Sequence, residues 1–196
     1  MKKSLFTLAC AVVVAGALNA AEEKGKINRD YWTGKAGNLG VLKSSAKEQL
    51  KPTGSDTLTS FEAVDWKTGK KHAHFAEKYS QRIYGYLIPD VSGEYVFCVA
   101  VDDQAELALS PDADPKKAKN IVKVTKWTFP RIYDKYPEQK SKPVKLEAGK
   151  KYYIEAVMFE GGGGDNLSVA WIVPGSKDKK PVIIPGKNLS TIDKKK

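Results

Sequence analysis

The sequence has little cysteine: Cys10 and Cys98 are the only two. Cys10 lies in an amino-terminal segment that we expect to be removed, which would leave Cys98 alone and exclude an intrachain disulfide. Cys98 stands within the apolar run 95–99, so we interpret it as a buried thiol that packs like a small apolar side chain. The two histidines, His72 and His74, are not near it in the sequence, which disfavours a catalytic cysteine.

Arginine is also scarce. Of 33 basic residues only Arg29, Arg82 and Arg131 are arginine. Planar, bidentate contacts to phosphates and bases favour arginine over lysine, so we expect no nucleic-acid partner. The full chain carries 33 basic and 23 acidic residues, a net charge of +10, which becomes +8 without Lys2 and Lys3. A solvated, lysine-covered surface is the favoured interpretation, and attraction to an anionic polysaccharide or a cell wall is the alternative.

Long apolar runs are missing too. The uncharged stretch from Leu5 to Leu18 is shorter than the roughly 20 residues that span a bilayer as a helix. It follows two lysines and precedes the small residues 19–21, which is typical of a secretory signal peptide over residues 1–20, cut after Ala20. We therefore expect a mature protein that is secreted, periplasmic or at the cell surface, and not membrane-spanning. Lipidation of Cys10 is disfavoured because apolar residues continue beyond it.

The rest of the chain, residues 24–192, is predicted to form one domain. Short segments rich in β-branched and aromatic residues alternate with turn signals such as Ser92-Gly93 and Pro174-Gly175. This pattern predicts an all-β fold, a single antiparallel β-sandwich of jelly-roll type with long loops. The predicted strands cover 81–88, 94–101, 106–109, 144–146, 152–159, 167–171 and 182–184. Before Tyr79 we expect irregular structure, with a short helix at 44–50, a loop at 51–56 and apolar anchors at Phe61, Val64 and Trp66.

Two adjacent carboxylates, Asp102 and Asp103, follow the apolar strand 94–101. Such a pair is unfavourable unless a cation lies between the two side chains. Neighbouring residues of a regular strand point to opposite faces. Convergence on one ion therefore requires an irregular backbone, such as a bulge or a cis peptide.

A glycine-rich loop, residues 160–166, stands between two later predicted strands. Its four glycines permit unusual backbone dihedrals and close approach of carbonyl groups. Asp165 and Asn166 then offer the hard oxygen ligands that calcium prefers. The plain alternative is that Asp102 and Asp103 cap a strand and the glycines form a flexible turn; the residue pattern alone favours neither interpretation.

Several motifs occur together in a characteristic order. Tyr84-Gly85-Tyr86-Leu87, Pro89 and Ser92-Gly93-Glu94-Tyr95-Val96-Phe97 precede Val101-Asp102-Asp103. The run 146–155, the glycine loop with Leu167, Val169, Ala170 and Trp171, and Ile184-Pro185 follow. In this order the motifs resemble the protective-antigen-fourteen domain, a β-sandwich family, over about Ile27 to Leu189.

The resemblance implies a function as well as a fold. The family includes carbohydrate-binding modules of glycosidases and adhesins, and toxin members that bind no sugar. In the fungal adhesins the paired aspartates form a cis peptide and hold a calcium ion that ligates sugar hydroxyls. That role carries over to Asp102 and Asp103, with Asn166 and Asp165 as the further metal ligands. Gly163 and Gly164 are expected to join Asp102, Asp103 and Asn166 in the ligand-binding site. The loop length and glycine run depart from the adhesin pattern.

These implications predict a secreted, non-catalytic, lectin-like or adhesin-like module with a Ca2+ cofactor and a glycan or polysaccharide partner. The alternatives are a structural or protein-interaction sandwich without sugar binding, or an accessory module of a glycosidase system. An enzyme is disfavoured, because glycosidases need two carboxylates about 5–9.5 Å apart and adjacent aspartates committed to a cation are a poor pair. No nucleophile elbow, HExxH motif or phosphate loop stands in the sequence.

Three further features carry competing interpretations. The acidic segment 110–115 favours a turn or helix cap over a second calcium loop. The pair His72 and His74 is placed at the surface, because a zinc site would need ligands that the sequence does not offer. The aromatic residues of the segment 127–136 could stack on a sugar ring or cover the core, and we expect the core for Trp127; they are Trp127, Phe129, Tyr133 and Tyr136.

Overall fold

The computed structural model describes residues 22–33, 51–63 and 78–192. The strands found there are β1 (Ile27–Trp32), β2 (Gly54–Leu58), β3 (Tyr79–Leu87), β4 (Gly93–Asp102), β5 (Gln104–Leu109), β6 (Lys119–Val124), β7 (Val144–Leu146), β8 (Tyr152–Glu160), β9 (Asn166–Ile172), β10 (Val182–Ile183) and β11 (Leu189–Ser190). Single 3-10 turns lie at Pro115–Lys117, Pro137–Gln139 and Gly186–Asn188. None of the helical segments in these ranges is long and apolar enough to cross a membrane.

The strands form two sheets. The larger sheet has the order β2-β1-β3-β8-β5-β6, with β11 also paired to β3, and the smaller sheet has the order β10-β9-β4-β7. Every named strand pair is antiparallel. The two sheets pack face to face, which confirms the predicted all-β antiparallel sandwich.

Strand β4 is buried on both faces, as its apolar sequence predicts. Phe97, Val99 and Val101 face the core between the sheets. The residues between them face the other way and pack against Tyr133, which crosses the outer face of the smaller sheet. Cys98 is one of these and is fully buried, and burial raises the pKa of its thiol to about 11. This agrees with the interpretation of Cys98 as a packing residue rather than a nucleophile.

The region before Tyr79 contains more regular structure than the sequence predicts. Strand β1 and most of β2 lie in segments expected to be irregular. The polar residues of β1 are buried because they have partners: Arg29 forms a bidentate ion pair with Asp56 of β2, and Asp30 accepts a hydrogen bond from Tyr84 of β3 at 3.0 Å. Strands β6 and β11 were likewise not predicted.

Several sequence predictions fall on segments that the structure does not describe. These are the signal peptide at 1–20, the helix at 44–50, Val64 and Trp66, and the histidine pair at 72 and 74. Phe61, the remaining anchor, is fully buried in the core as expected.

Two connections between the sheets meet at one end of the sandwich. At Asp103 the chain passes from β4 in the smaller sheet to β5 in the larger one, and residues 161–165 return it from β8 to β9. Asp102 lies opposite Asn166 in the β4–β9 ladder, and Gln104 lies opposite Phe159 in the β5–β8 ladder. The antiparallel register therefore brings the aspartate pair and the glycine loop together.

Candidate metal and ligand site

The two aspartates stand where the backbone leaves a regular strand. Asp102 is the last residue of β4, and the peptide bond between Asp102 and Asp103 is cis. Both side chains are partly exposed. The backbone N–H of Asp103 donates to the carbonyl oxygen of Phe159 at 3.2 Å, which ties the pair to β8. The irregular backbone that convergence of adjacent carboxylates requires is thus present.

The glycine loop packs directly against these carboxylates. The N–H of Gly161 donates to Oδ2 of Asp103 at 2.8 Å. A Cβ at Gly161 would lie 2.9 Å from Oδ2 of Asp103, and one at Gly164 would lie 2.8 Å from Oδ2 of Asp102. Real Cβ atoms do not approach that closely, so glycine at these two positions lets the loop close over the aspartates.

A third carboxylate, that of the buried Glu160, completes an acidic cluster with Asp102 and Asp103. Carboxylate oxygens of Asp102, Asp103 and Glu160 lie within 4.8 Å of one another. Glu160 is fully buried at the end of β8; its Oε1 accepts from the N–H of Gly162 at 2.6 Å, while its Oε2 has no hydrogen-bond partner. A buried, ionised carboxylate oxygen without a donor is unfavourable, and a bound cation would satisfy it.

Asn166 supplies a neutral oxygen beside the cluster. Its side-chain N–H donates to the carbonyl oxygen of Thr128 at 2.9 Å, which fixes the orientation of the amide. The amide oxygen is buried and accepts no hydrogen bond. Because Asn166 lies opposite Asp102 in the β4–β9 ladder, its amide oxygen can join the three carboxylates as a hard oxygen donor of the kind that calcium prefers.

Two carboxyl groups of the cluster have raised pKa values, as expected where carboxylates lie together without a compensating cation. Burial, reinforced by the charges of Asp103 and Asp165, raises the pKa of Asp102 to about 6. Burial, again reinforced by the neighbouring aspartates, raises the pKa of Glu160 to about 8. Without a cation, Glu160 therefore keeps a proton at neutral pH, whereas Asp102 keeps one only under mildly acidic conditions, and a cation would compete with these protons.

The predicted site residues are for the most part brought together. Asp102, Asp103 and Asn166 lie side by side, while Asp165 is outside the group of carboxylates within 4.8 Å, although its charge acts on both Asp102 and Glu160. Gly163 and Gly164 are at the exposed tip of the loop. Glu160 was not predicted as a ligand. The available signal was its position as the first residue of the glycine loop and the last of an apolar strand.

An exposed aromatic pair borders the site. Thr128 is buried; it forms two hydrogen bonds with the backbone of Val101, and its carbonyl oxygen accepts a hydrogen bond from the side chain of Asn166. Trp127 and Phe129, on either side of it, therefore point outward. Trp127 is 45% exposed and Phe129 is 65% exposed, with their rings 5.2 Å apart and nearly perpendicular. The expectation that Trp127 lies in the core is wrong, because Thr128 occupies the inward position. Tyr133 is buried against the outer face of the smaller sheet, and Tyr136 is half-buried.

The acidic segment 110–115 is a capped turn. The side chain of Asp114 accepts from the N–H of Lys116 and caps the 3-10 turn at Pro115–Lys117. Asp112 accepts from the N–H of Asp114 at 2.8 Å and pairs with Lys117. Both carboxylates thus have local partners, as the favoured turn interpretation predicts.

The raised pKa values predict a pH-dependent stability of the metal-free protein. A carboxyl group whose pKa is higher in the folded state stabilises the fold below its unfolded pKa, and this stabilisation is lost as pH rises through the folded pKa. For Glu160 that window runs from 4.5 to about 8. In EDTA, the thermal midpoint should therefore fall as pH rises across this window. Glu160→Gln, which keeps the acceptor for Gly162, should flatten the decline; an equally steep decline in the variant would contradict this account.

Comparison with known proteins finds a matching family model and a relative of higher identity. The family model of the PA14 domain matches residues 34–183. The mouse (Mus musculus) N-acetyl-beta-glucosaminyl-glycoprotein 4-beta-N-acetylgalactosaminyltransferase 1 is 32% identical over 167 residues, which cover 80% of this chain but only 15% of that protein.

Two solved structures share the fold at low identity. The A domain of epithelial adhesin 6 from Candida glabrata, in complex with Galb1-3GlcNAc, superposes with a TM-score of 0.59 at 13% identity and covers 90% of each chain. The PA14 domain of the MpAFP antifreeze protein superposes with a TM-score of 0.56 at 11% identity, covering 89% of this chain and 94% of that one. With the family model matching more than half of its residues, this chain belongs to the PA14 domain family.

Proposed function

We propose that this protein is an exported, non-catalytic carbohydrate-binding module that ligates sugar hydroxyls through a calcium ion. The observation that carries the proposal is the cluster of Asp102, Asp103 and Glu160 with the unpartnered amide oxygen of Asn166. These four side chains offer fewer oxygens than the six to eight that calcium takes, unless several bind in bidentate fashion. Loop carbonyls, water or sugar hydroxyls would supply the remainder.

The depth of the four groups supports a site open on one side. Glu160 and Asn166 are buried, whereas Asp102 and Asp103 are partly exposed and the loop tip at 162–164 is exposed. An ion held here would be anchored from the protein side and accessible from the solvent side. The adhesin 6 domain, which has the same fold, was solved with a bound disaccharide.

The spacing of the carboxylates favours binding over catalysis. Glycoside hydrolysis uses two carboxyl groups about 5–9.5 Å apart on either side of the scissile bond. Asp102, Asp103 and Glu160 lie within 4.8 Å of one another, which suits a shared cation better than a sugar placed between them. The mouse relative is a glycosyltransferase by name, but the match spans 15% of its length, so its activity does not enter the proposal.

Export and domain limits belong to the same proposal. Residues 1–20 would act as the signal peptide, and residues 24–192 would form the mature sandwich domain. Amino-terminal sequencing of the mature protein should find Ala21 at its start.

A glycan array probed in calcium and in EDTA tests the function directly. Binding to neutral oligosaccharides, galactose-terminated disaccharides among them, is expected in calcium and should vanish in EDTA. Binding that persists in EDTA would remove the metal from the proposal. Absence of glycan binding in calcium, while the metal itself binds in calorimetry, would favour a protein-interaction sandwich. Release of reducing sugar from a bound polysaccharide would indicate an enzyme.

The aromatic pair gives a second, independent prediction. Phe129→Ala and Trp127→Ala should each weaken glycan binding about tenfold, or about 1.4 kcal/mol, because stacking on a sugar ring is lost. Lys135 lies 3.3 Å from the Trp127 ring centre and covers one face, so the more exposed Phe129 should contribute at least as much. Calcium affinity should not change. Val91→Ala, which truncates an exposed apolar residue before β4, is the matched control and should leave glycan affinity unaltered.

A further inference from the structure

One side of the sandwich carries a groove that the calcium site does not use. Strand β6 is the outer strand of the larger sheet and β7 is the outer strand of the smaller sheet. Between them lie two hollows of about 360 and 540 Å3, and Ile121 of β6 and Val144 of β7 line both. We call this continuous feature the seam groove. None of its lining residues belongs to the acidic cluster.

The rim of the seam groove is strongly cationic. Two glutamates, Glu138 and Glu147, line it together with seven lysines, which are Lys117, Lys119, Lys123, Lys140, Lys142, Lys145 and Lys150. Three of these lysines form ion pairs, Lys117 with Asp112, Lys123 with Glu106 and Lys150 with Glu147. The other four form no ion pair with a carboxylate in the described part of the chain. Their charge is available to a ligand.

The floor of the groove is apolar. Ile121 and Val144 are half-buried and pack against the core. A chain of sugars can lay its C–H faces on such a floor while acidic groups reach the lysines at the rim. The four unpaired lysines lie on different segments: Lys119 is on β6, Lys145 is on β7, and Lys140 and Lys142 precede β7. The rim therefore offers charges at intervals rather than at one point.

The lining disfavours the other common polyanions. Nucleic acids without a duplex are held by bases stacked on exposed aromatic rings. Tyr152, the one aromatic residue of the lining, is only 3% exposed. The lining also contains no arginine, the residue that matches phosphate with two parallel hydrogen bonds. Four spread ammonium groups suit one carboxylate per sugar better than a densely sulfated chain.

We propose that the seam groove is a second, calcium-independent binding site for a polysaccharide of uronic acids. The proposal stands apart from the glycan site at Asp102 and Asp103 and does not depend on it. The class of ligand follows from the lysine rim, the apolar floor and the lack of an exposed ring along the lining.

Binding of polygalacturonate in EDTA tests this proposal while the calcium site is silent. Affinity should fall as salt is added, since rim lysines act through solvent-exposed charge. A triple variant, Lys119→Gln, Lys142→Gln and Lys145→Gln, should lose about tenfold in affinity. The control triple variant, Lys177→Gln, Lys179→Gln and Lys187→Gln, removes the same charge outside the groove and should lose little.

Four outcomes would overturn the proposal. An equal loss in both triple variants would reduce the effect to net charge. Tighter binding of dextran sulfate or polyuridylate than of polygalacturonate would show a general polyanion surface. No binding in EDTA would indicate that the lysines serve instead to prevent the edge strands β6 and β7 from pairing with other chains. Neutral dextran is the negative control, and its binding would place the interaction on the floor alone.

Discussion

Asp103→Asn is expected to lower calcium affinity by about two orders of magnitude and to abolish calcium-dependent glycan binding with it. The amide keeps an oxygen that can accept from the N–H of Gly161, so the loop contact survives. What is lost is one of three negative charges, and the charge of the ligand set is a main determinant of calcium affinity. Asp102→Asn should act in the same way, as should alanine at either position. Isothermal calorimetry with calcium, followed by the glycan array, measures both effects.

The fold should survive these substitutions. Stability rests on the buried strands, and the metal-free variant loses carboxylate repulsion, so its midpoint in EDTA should match or exceed that of the wild type. Asp178→Asn, on the exposed turn between β9 and β10, removes the same charge outside the cluster and should leave calcium affinity unchanged. Full calcium affinity in the Asp103 or Asp102 variant would show that the ion is held elsewhere.

Calcium should raise the thermal midpoint of the wild-type protein by about 5–10 °C over protein in EDTA. A ligand at a hundred times its dissociation constant adds about 2.7 kcal/mol to the free energy of unfolding if it binds the folded state only. For a domain of this size, each kcal/mol shifts the midpoint by roughly 2–4 °C. The folded-state condition is met because Asp103 and Gly161, which the structure joins, are 58 positions apart in sequence.

Two controls test whether the thermal shift is specific to calcium and to the acidic cluster. Magnesium should produce a much smaller shift, because it requires near-octahedral geometry and releases its water reluctantly. Glu160→Gln should reduce the calcium shift, since it removes the buried charge beneath the ion. Identical melting curves in calcium and in EDTA would leave the sandwich in place and remove the metal site.

The strands that carry the core could be predicted because each is a short apolar run bounded by turn residues. Phe97, Val99 and Val101 belong to a run of apolar residues that only a doubly buried strand accommodates, and the turn at Ser92-Gly93 marks its start. The aspartate pair could be predicted to need an irregular backbone from the geometry of any regular strand. These are local properties, and local properties can be read from sequence.

The missed features depend on contacts between distant residues. Strand β1 has Asn28, Arg29 and Asp30 in its centre, a loop-like sequence whose burial is explained only by partners on β2 and β3. Glu160 becomes a candidate ligand because the strand register places its carboxylate within 4.8 Å of those of Asp102 and Asp103. Trp127 is exposed because Thr128 bonds β4 and Asn166. Pairing of this kind has no signature in hydrophobic periodicity.

The first and last segments that the structure describes lie next to each other, which fixes where the ends of the domain stand relative to the acidic cluster. Lys24 bridges Ser190, and the N–H of Thr191 donates to the carbonyl oxygen of Glu23 at 3.0 Å, so entry and exit lie side by side. Ser190 pairs with Tyr86 near one end of β3, whereas Tyr79 at the other end lies opposite Glu160.

Tyr86 and Tyr79 are seven residues apart along β3, so roughly 23 Å of sheet separates the paired ends of the domain from the acidic cluster. Anything attached at either end of the domain would therefore lie at the opposite end of the sandwich from the acidic cluster.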